Sequence, residues 1–385
     1  MIQGHKFPIR QEVHALPSAT GEMEEKEFRT RSGYLPQECF KSLESSLLES
    51  GTIATGRSLH FAADLVCSGG LQVFLEMIWN FSIRHIGIAS PRLFVYLKKR
   101  LSELDDLCKK YAEDDLIAMP EFQTRIAELV FVVRDCPRRG RIVPPKVGAE
   151  TQREGWLQSV ASAEETAALR KVYQHGADHG PLRRTGAEFL KAISDGALEK
   201  ALFWIQWTID QDHKARKEHS VGFTTVDRGP PHLKGKQKSD TLFFFVDLCA
   251  ESYKDYAARS MIRMHEEFQC LLDLLRGADS RLGQRYRKDL LFVCVQILCE
   301  VPRWKVPAAP TLIKDPVVMS RAIQQSGSFF REVLSNPKVS LYGKGKSLFK
   351  NGKLSDGNKQ KLRKSDKMLD QLDAYEKAMA MYLGE

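Results

Sequence analysis

The residues with the most conspicuous chemistry lie toward the end of the sequence. The stretch Ser340-Leu341-Tyr342-Gly343-Lys344-Gly345-Lys346-Ser347 closes like a phosphate-binding loop. Such a loop needs a glycine five places before its Gly-Lys-Ser, so that backbone N–H groups can cradle phosphates, and a strand that feeds into it. Ser340 stands at the glycine position, and Pro337 with Lys338 argue against a preceding buried strand. The stretch therefore reads as a basic tail containing Gly and Ser, and nucleotide hydrolysis is not expected.

What that tail does offer is charge. Lys344, Lys346, Lys350, Lys353, Lys359, Lys361, Arg363 and Lys364 are interleaved with Gly, Ser and Asn, and Tyr342 and Phe349 are its aromatics. Residues 338–367 hold ten Lys and Arg against two Asp, so they carry +8 of a net +9. Residues 368–385 carry −3, which leaves +4 for residues 1–337. A segment of this kind neutralises phosphates without reading bases, so the expectation is salt-sensitive, non-specific binding to nucleic acid, with DNA the expected form. A localisation signal and a contact to an acidic protein surface are the rival readings. Arg281, Arg285 and Lys288 share one helical face, and Arg138, Arg139 and Arg141 sit in a basic loop that starts at Arg134. Both sets could contact phosphates, although a solvated face accounts for them equally well.

Other arrangements are weaker. His175 and His179 have a metal-chelating spacing, but Gly176 between them and Gly180-Pro181 after them disfavour the helix it requires, and no Glu stands where a zinc protease needs one. His213 and His219 are not spaced to join them. Trp204 and Trp207 could stack on bases, but aromatics at helical spacing are more often core. The eight cysteines form no Cys-x-x-Cys pair and lie mostly in apolar stretches, as reduced thiols do in a reducing compartment. No Gly-x-Ser-x-Gly elbow is present. No catalytic residue, metal or cofactor is expected.

The elements that must position these residues read as helices. Leu93, Leu97, Leu101, Leu104 and Cys108 recur on one face, with Ser90 as the expected N-cap and Pro91 as the first helical residue. The stretch Leu71 to Phe81 is apolar on nearly all sides and must be buried. The spacing predicts a helix over 120–134, helical patterns over 156–174 and 182–218, a long helical region over 242–276, a helix over 290–301 and another over 317–334. Alternating β patterns are scarce. The expected fold is an all-α multi-helix bundle: an arm at 1–38, helical subdomains at 39–136, 156–218 and 240–336, a basic and proline-bearing loop at 137–155, a linker at 219–239, and a basic tail at 337–385 with a short terminal helix.

The composition, 43% hydrophobic and 28% charged, suits a chain that buries a core. The longest uncharged apolar stretch, from Leu290 to Cys299, is about half of what a bilayer crossing needs, so no membrane is expected. Met1-Ile2-Gln3-Gly4-His5-Lys6 lacks the apolar core of a secretory signal.

Two resemblances bear on function. Ser58-Leu59-His60-Phe61-Ala62-Ala63-Asp64-Leu65, followed by Phe81-Ser82-Ile83-Arg84-His85-Ile86-Gly87-Ile88-Ala89-Ser90-Pro91, resembles the helical collar of clamp-loader ATPases, closest to the replication-associated recombination branch. Arg84-His85 stand where that branch has acids. Ala201-Leu202-Phe203-Trp204-Ile205 is similar to the collar's aromatic helix. The residues before the matching stretch carry no phosphate loop or acidic metal motif, so the resemblance implies an oligomerising scaffold without a motor. The pattern Leu65-Val66-Cys67-Ser68-Gly69, His85-Ile86 and Pro91-Arg92-Leu93 with Tyr96-Leu97 also resembles an uncharacterised helical family of large nucleocytoplasmic DNA viruses. That resemblance implies a role around DNA replication, late expression or packaging, in the cytoplasm or nucleus of an infected cell or in the virion.

The function expected is a non-enzymatic, nucleic-acid-associated accessory or scaffold protein, with protein partners, including a second copy of the chain, on the helical body. A virion-assembly protein and an enzyme whose site assembles only in space are the alternatives.

Overall fold

The computed structural model describes residues 29–153, 155–161, 165–231, 233, 235–259, 265–276, 284–300, 312–313 and 316–337. Among them the fold is all-α, and the β pairing is a single isolated bridge between Asp178 and Thr224. The basic tail and residues 1–28 lie outside the described residues.

The first half opens with α1 (Pro36–Leu48), α2 (Thr52–Cys67) and α3 (Leu71–Phe81). Pro36 suits the first turn of α1, and the Glu38 carboxylate accepts the Leu35 N–H at 3.0 Å, which satisfies a donor that the helix leaves orphaned. α2 buries most of its residues because its sequence is small and apolar around much of its circumference; α1, α15 and α6 cover it. α3 is apolar on nearly every side and is buried accordingly, with Phe74 and Ile78 fully enclosed. Truncating Phe74 to Ala would cost about 3–5 kcal/mol at such a site.

A π-helical turn (Ser82–Ile86) and a 3-10 turn (Gly87–Ala89) redirect the chain into α4 (Arg92–Lys110). Gly87 has φ +49°, a conformation that glycine adopts without strain. Ser90 does not cap α4. Its carbonyl, rather than its hydroxyl, accepts the Leu93 N–H at 2.9 Å, and the hydroxyl is buried without a partner. Pro91 precedes the helix instead of starting it, because the 3-10 turn delivers Ser90 with φ −144° and ψ 70°. Leu93, Leu97, Leu101 and Leu104 are buried as their spacing requires. α5 (Glu113–Ala118) and α6 (Pro120–Asp135) follow.

After an irregular stretch come α7 (Trp156–Val160), α8 (Ala167–Val172), α9 (Gly180–Ser194) and α10 (Leu198–His219). The expected helical region at 182–218 is therefore two helices, parted at Asp195-Gly196, where Gly196 takes φ +66°. The region 242–276 likewise divides into α11 (Leu242–Arg259) and α12 (Glu266–Arg276). α13 (Gln284–Glu300) holds the apolar run that starts at Leu290. α14 (Pro316–Gln324) and α15 (Ser326–Leu334) break at Gln325 within the expected 317–334 helix and pack back on α6 and α2.

One apolar cluster runs from Cys39 to Val333 through all three expected subdomains. α12 lies on α4, and α13 packs against the π-helical turn, so the halves share a core. Ion pairs reinforce the first contact, with Arg92 at 3.4 Å from Glu267 and Lys98 at 2.7 Å from Asp273. Residues 219–239 do not hang as a free linker. Phe223 and Thr224 are buried, the Phe223 N–H donates to Asp212 at 2.6 Å, and the Thr224 hydroxyl donates to Asp178 at 2.5 Å. No helix among the described residues is long and apolar enough to cross a membrane.

Candidate nucleic-acid interface

The basic residues expected to contact phosphates fall into three groups. Lys344, Lys346, Lys350, Lys353, Lys359, Lys361, Arg363, Lys364 and Arg281 lie outside the described residues, as does the side chain of Arg285, whose backbone opens α13. Lys288 is half-buried. Its ammonium donates to the Gln206 carboxamide at 3.3 Å and lies 5.9 Å from the Phe292 ring centroid.

The loop arginines face inward. Arg138 caps the C-terminus of α1, donating to the carbonyls of Leu47 and Leu48, to the latter at 2.7 Å, and its guanidinium lies 5.8 Å from the Phe81 ring centroid. Arg134 serves the same helix end through the carbonyls of Glu49 at 3.0 Å and Gly51 at 2.7 Å. Exposed helix-terminal carbonyls and the negative end of the helix dipole attract cations, so two arginines there are held by both. Burial lowers the pKa of each, and at Arg134 the Arg138 charge adds to the effect. Arg139 pairs with Glu300 at 3.0 Å and donates its N–H to the His85 carbonyl at 3.0 Å. Arg141 and Arg84 converge on Asp289, at 3.6 and 3.7 Å. The loop thus ties the π-helical turn to α13.

Elsewhere, too, arginines meet carboxylates. Arg100 and Arg125 share Glu103, with Glu128 and Glu121 as further partners. The Tyr96 phenol donates to Glu128 at 2.8 Å, and burial, with the Glu128 charge, pushes its pKa up. Arg228 pairs with Asp178 and Asp247, Arg276 with Asp247, Arg216 with Asp212 and Arg183 with Glu165. Burial raises the Asp247 carboxyl pKa, opposed by Arg276 and Arg228.

The aromatic and metal candidates resolve as packing. Trp204 and Trp207 are buried beside Trp156, and the Trp207 indole N–H donates to the Thr151 carbonyl at 2.9 Å. His179 stacks on Phe223 at 6.2 Å, and His175 meets the edge of Tyr173 at 4.9 Å. Exposed His219 lies 3.9 Å from Glu218. No group of three or more His, Cys, Asp or Glu among the described residues could hold a metal ion. A cavity of about 40 Å³ beneath Tyr111, between Val66 and Phe122, has room for water-sized guests.

Arg287 escaped the periodicity argument. It falls between Arg285 and Lys288 but off their shared face, and it is 7% exposed with its guanidinium 5.9 Å from the Phe243 ring centroid. Its sequence neighbours gave no sign of this, because Arg285, Lys288 and Asp289 around it read as one solvated, charged stretch.

Fold and charge together define an all-α body whose described arginines are mostly engaged by carboxylates and carbonyls. Comparisons with protein-family models, curated proteins and solved structures return no match.

Proposed function

We propose that this is a non-enzymatic, nucleic-acid-associated accessory or scaffold protein that binds phosphate backbone through residues 338–367. The observation that carries the reading is the partition of charge. Thirty residues hold +8, whereas the loop arginines of the helical body are turned onto α1, Glu300 and Asp289. A dense cationic segment releases counterions when it meets a polyanion, which makes binding strong at low salt and indifferent to sequence. The collar-like pattern around Phe61 and Ile86-Gly87 supports a body that assembles with protein partners, and the viral resemblance supports DNA replication or late gene expression as the setting.

Titration of the full chain against duplex and single-stranded DNA at rising salt tests the proposal. If eight cations of the segment contact phosphates, log K falls against log salt with a slope of about −7 on duplex and about −6 on single strands. Removal of residues 338–367 abolishes that slope. Absence of binding at low salt, or binding unchanged by the deletion, would overturn the reading.

A further inference from the structure

The pocket beneath Tyr111 lies where α2, α3, α4, α5 and α6 come together. Its walls are apolar, built by Val66, Leu71, Leu116, Ile117 and Phe122, and the half-buried Cys108 side chain also lines it. It opens to solvent beside Glu113 and Tyr111, the latter 45% exposed. A volume of about 40 Å³ holds roughly one or two waters, or the end of one aliphatic side chain. An apolar wall gains by exchanging water for such an end.

The chain around the mouth is acidic. Residues 105–115 hold five Asp and Glu against two Lys, which gives −3. Glu113, Asp114 and Asp115 form the first turn of α5, where the helix N-terminus favours negative charge. Asp106 and Asp115 are exposed. An apolar pocket with a negative surround fits an apolar side chain flanked by cations.

The basic tail offers that pattern. Leu348-Phe349 stands between Lys346 and Lys350, with Lys344 and Lys353 beyond them. The tail also departs from a helix that packs on one wall of the pocket. Phe329 of α15 lies against Gly56 of α2, and Glu332 bears on Tyr34, which meets Phe61 at 5.4 Å, so α15 runs toward the Val66 end of α2. Phe61 and Val66 are about 8 Å apart along the helix axis. From Pro337, the last described residue, the eleven residues to Leu348 extend to about 36 Å, which covers the distance to Val66.

We propose that this pocket is the docking site of the chain's own basic tail, with Leu348 in the pocket and Lys346 and Lys350 against the acids of residues 105–115. Docked in this way, the tail is held back from a polyanion until the polyanion competes for its lysines. The docking stands on the pocket, its charge and the reach of the tail. The competition with nucleic acid rests on the function proposed above.

Cys108 gives a readout from within the pocket, because the other seven cysteines are buried. N-ethylmaleimide labelling is followed in the full chain, in L348S and after removal of residues 338–367. At low salt, L348S and the deletion label Cys108 about tenfold faster than wild type, the loss expected when roughly two methyl-sized groups leave an apolar site. High salt closes most of that gap, since exposed charge pairs are screened. E113Q/D115N speeds labelling by a larger factor in the full chain than in the deleted protein. Equal labelling of wild type, L348S and the deletion would overturn the docking, as would protection that rises with protein concentration, which would assign the pocket to the tail of a second copy. Duplex DNA tests the competition: on binding, it brings wild-type Cys108 to the L348S rate. Bound DNA that leaves labelling slow would overturn the competition. A chain that shows the L348S effect but binds no DNA upholds the docking and counts against the nucleic-acid function.

Discussion

Arg228 and Asp178, fifty residues apart, form a buried ion pair with side chains 4% and 0% exposed. The guanidinium reaches one carboxylate oxygen at 2.9 Å and the other at 2.5 Å, while it also donates to the Val172 carbonyl at 3.0 Å and lies 5.4 Å from the Phe244 ring centroid. The pair fastens the segment after α10 to the turn before α9. Breaking it from one side leaves a buried charge unpaired, so D178A should lose about 3–5 kcal/mol. Replacing both partners with apolar residues of similar volume should cost far less. Urea unfolding of the single and double variants checks this, and equal losses would show that the pair's charge is not the issue.

Arg138 gives a prediction that separates stability from binding. Its guanidinium holds carbonyls at the end of α1 and that of Arg134 at 3.0 Å. R138A should therefore lower unfolding free energy by about 1.5–3 kcal/mol, the range for hydrogen bonds to a charged group. Its DNA affinity at fixed salt should stay within about twofold of wild type, because an engaged guanidinium releases few counterions. Denaturation and DNA titration on the same variant give both numbers.

The thiols predict alkaline sensitivity. Burial is the leading cause of pKa values pushed up to about 12 at Cys67 and Cys270 and about 11 at Cys299, and it moves Cys39, Cys249 and Cys294 upward as well. In the unfolded chain these groups lose their protons near pH 9, while in the fold they retain them. The folded state then binds more protons, so stability is intact below about pH 9 and falls as pH rises through the folded values. Unfolding free energy measured from pH 8 to 11 should decline, less steeply in a C67A/C270A/C299A variant. In the native protein at pH 8, a thiol reagent should label Cys108 first, since the other seven cysteines are buried.

Trp207 anchors the irregular stretch before α7. Its indole N–H bonds the Thr151 carbonyl while its ring packs 5.8 Å from Trp156. W207F keeps most of the packing and removes the bond, at a cost of about 1 kcal/mol. Limited proteolysis should then cut residues 142–153 faster than in wild type, with little change in α10.

The helical class was legible because apolar periodicity is local. Leu93, Leu97, Leu101 and Leu104 announced the buried face of α4 from their spacing alone, and Pro120 announced the start of α6. Boundaries were less legible where one glycine or one turn decides them, as at Gly196 and Gln325, since short-range patterns continue across such breaks.

Sequence alone determined that this chain is helical, that residues 338–367 hold most of its net charge, and that its cysteines lack metal-ligand spacing. Tertiary structure decided which cations are committed. Arg138 meets Leu47, 91 residues away, and Arg139 meets Glu300, 161 residues away. Such pairings depend on how helices dock, and a local repeat carries no information about a partner so distant in sequence. The same docking buried Arg287 beside Phe243, giving it an environment unlike that of its neighbour Lys288.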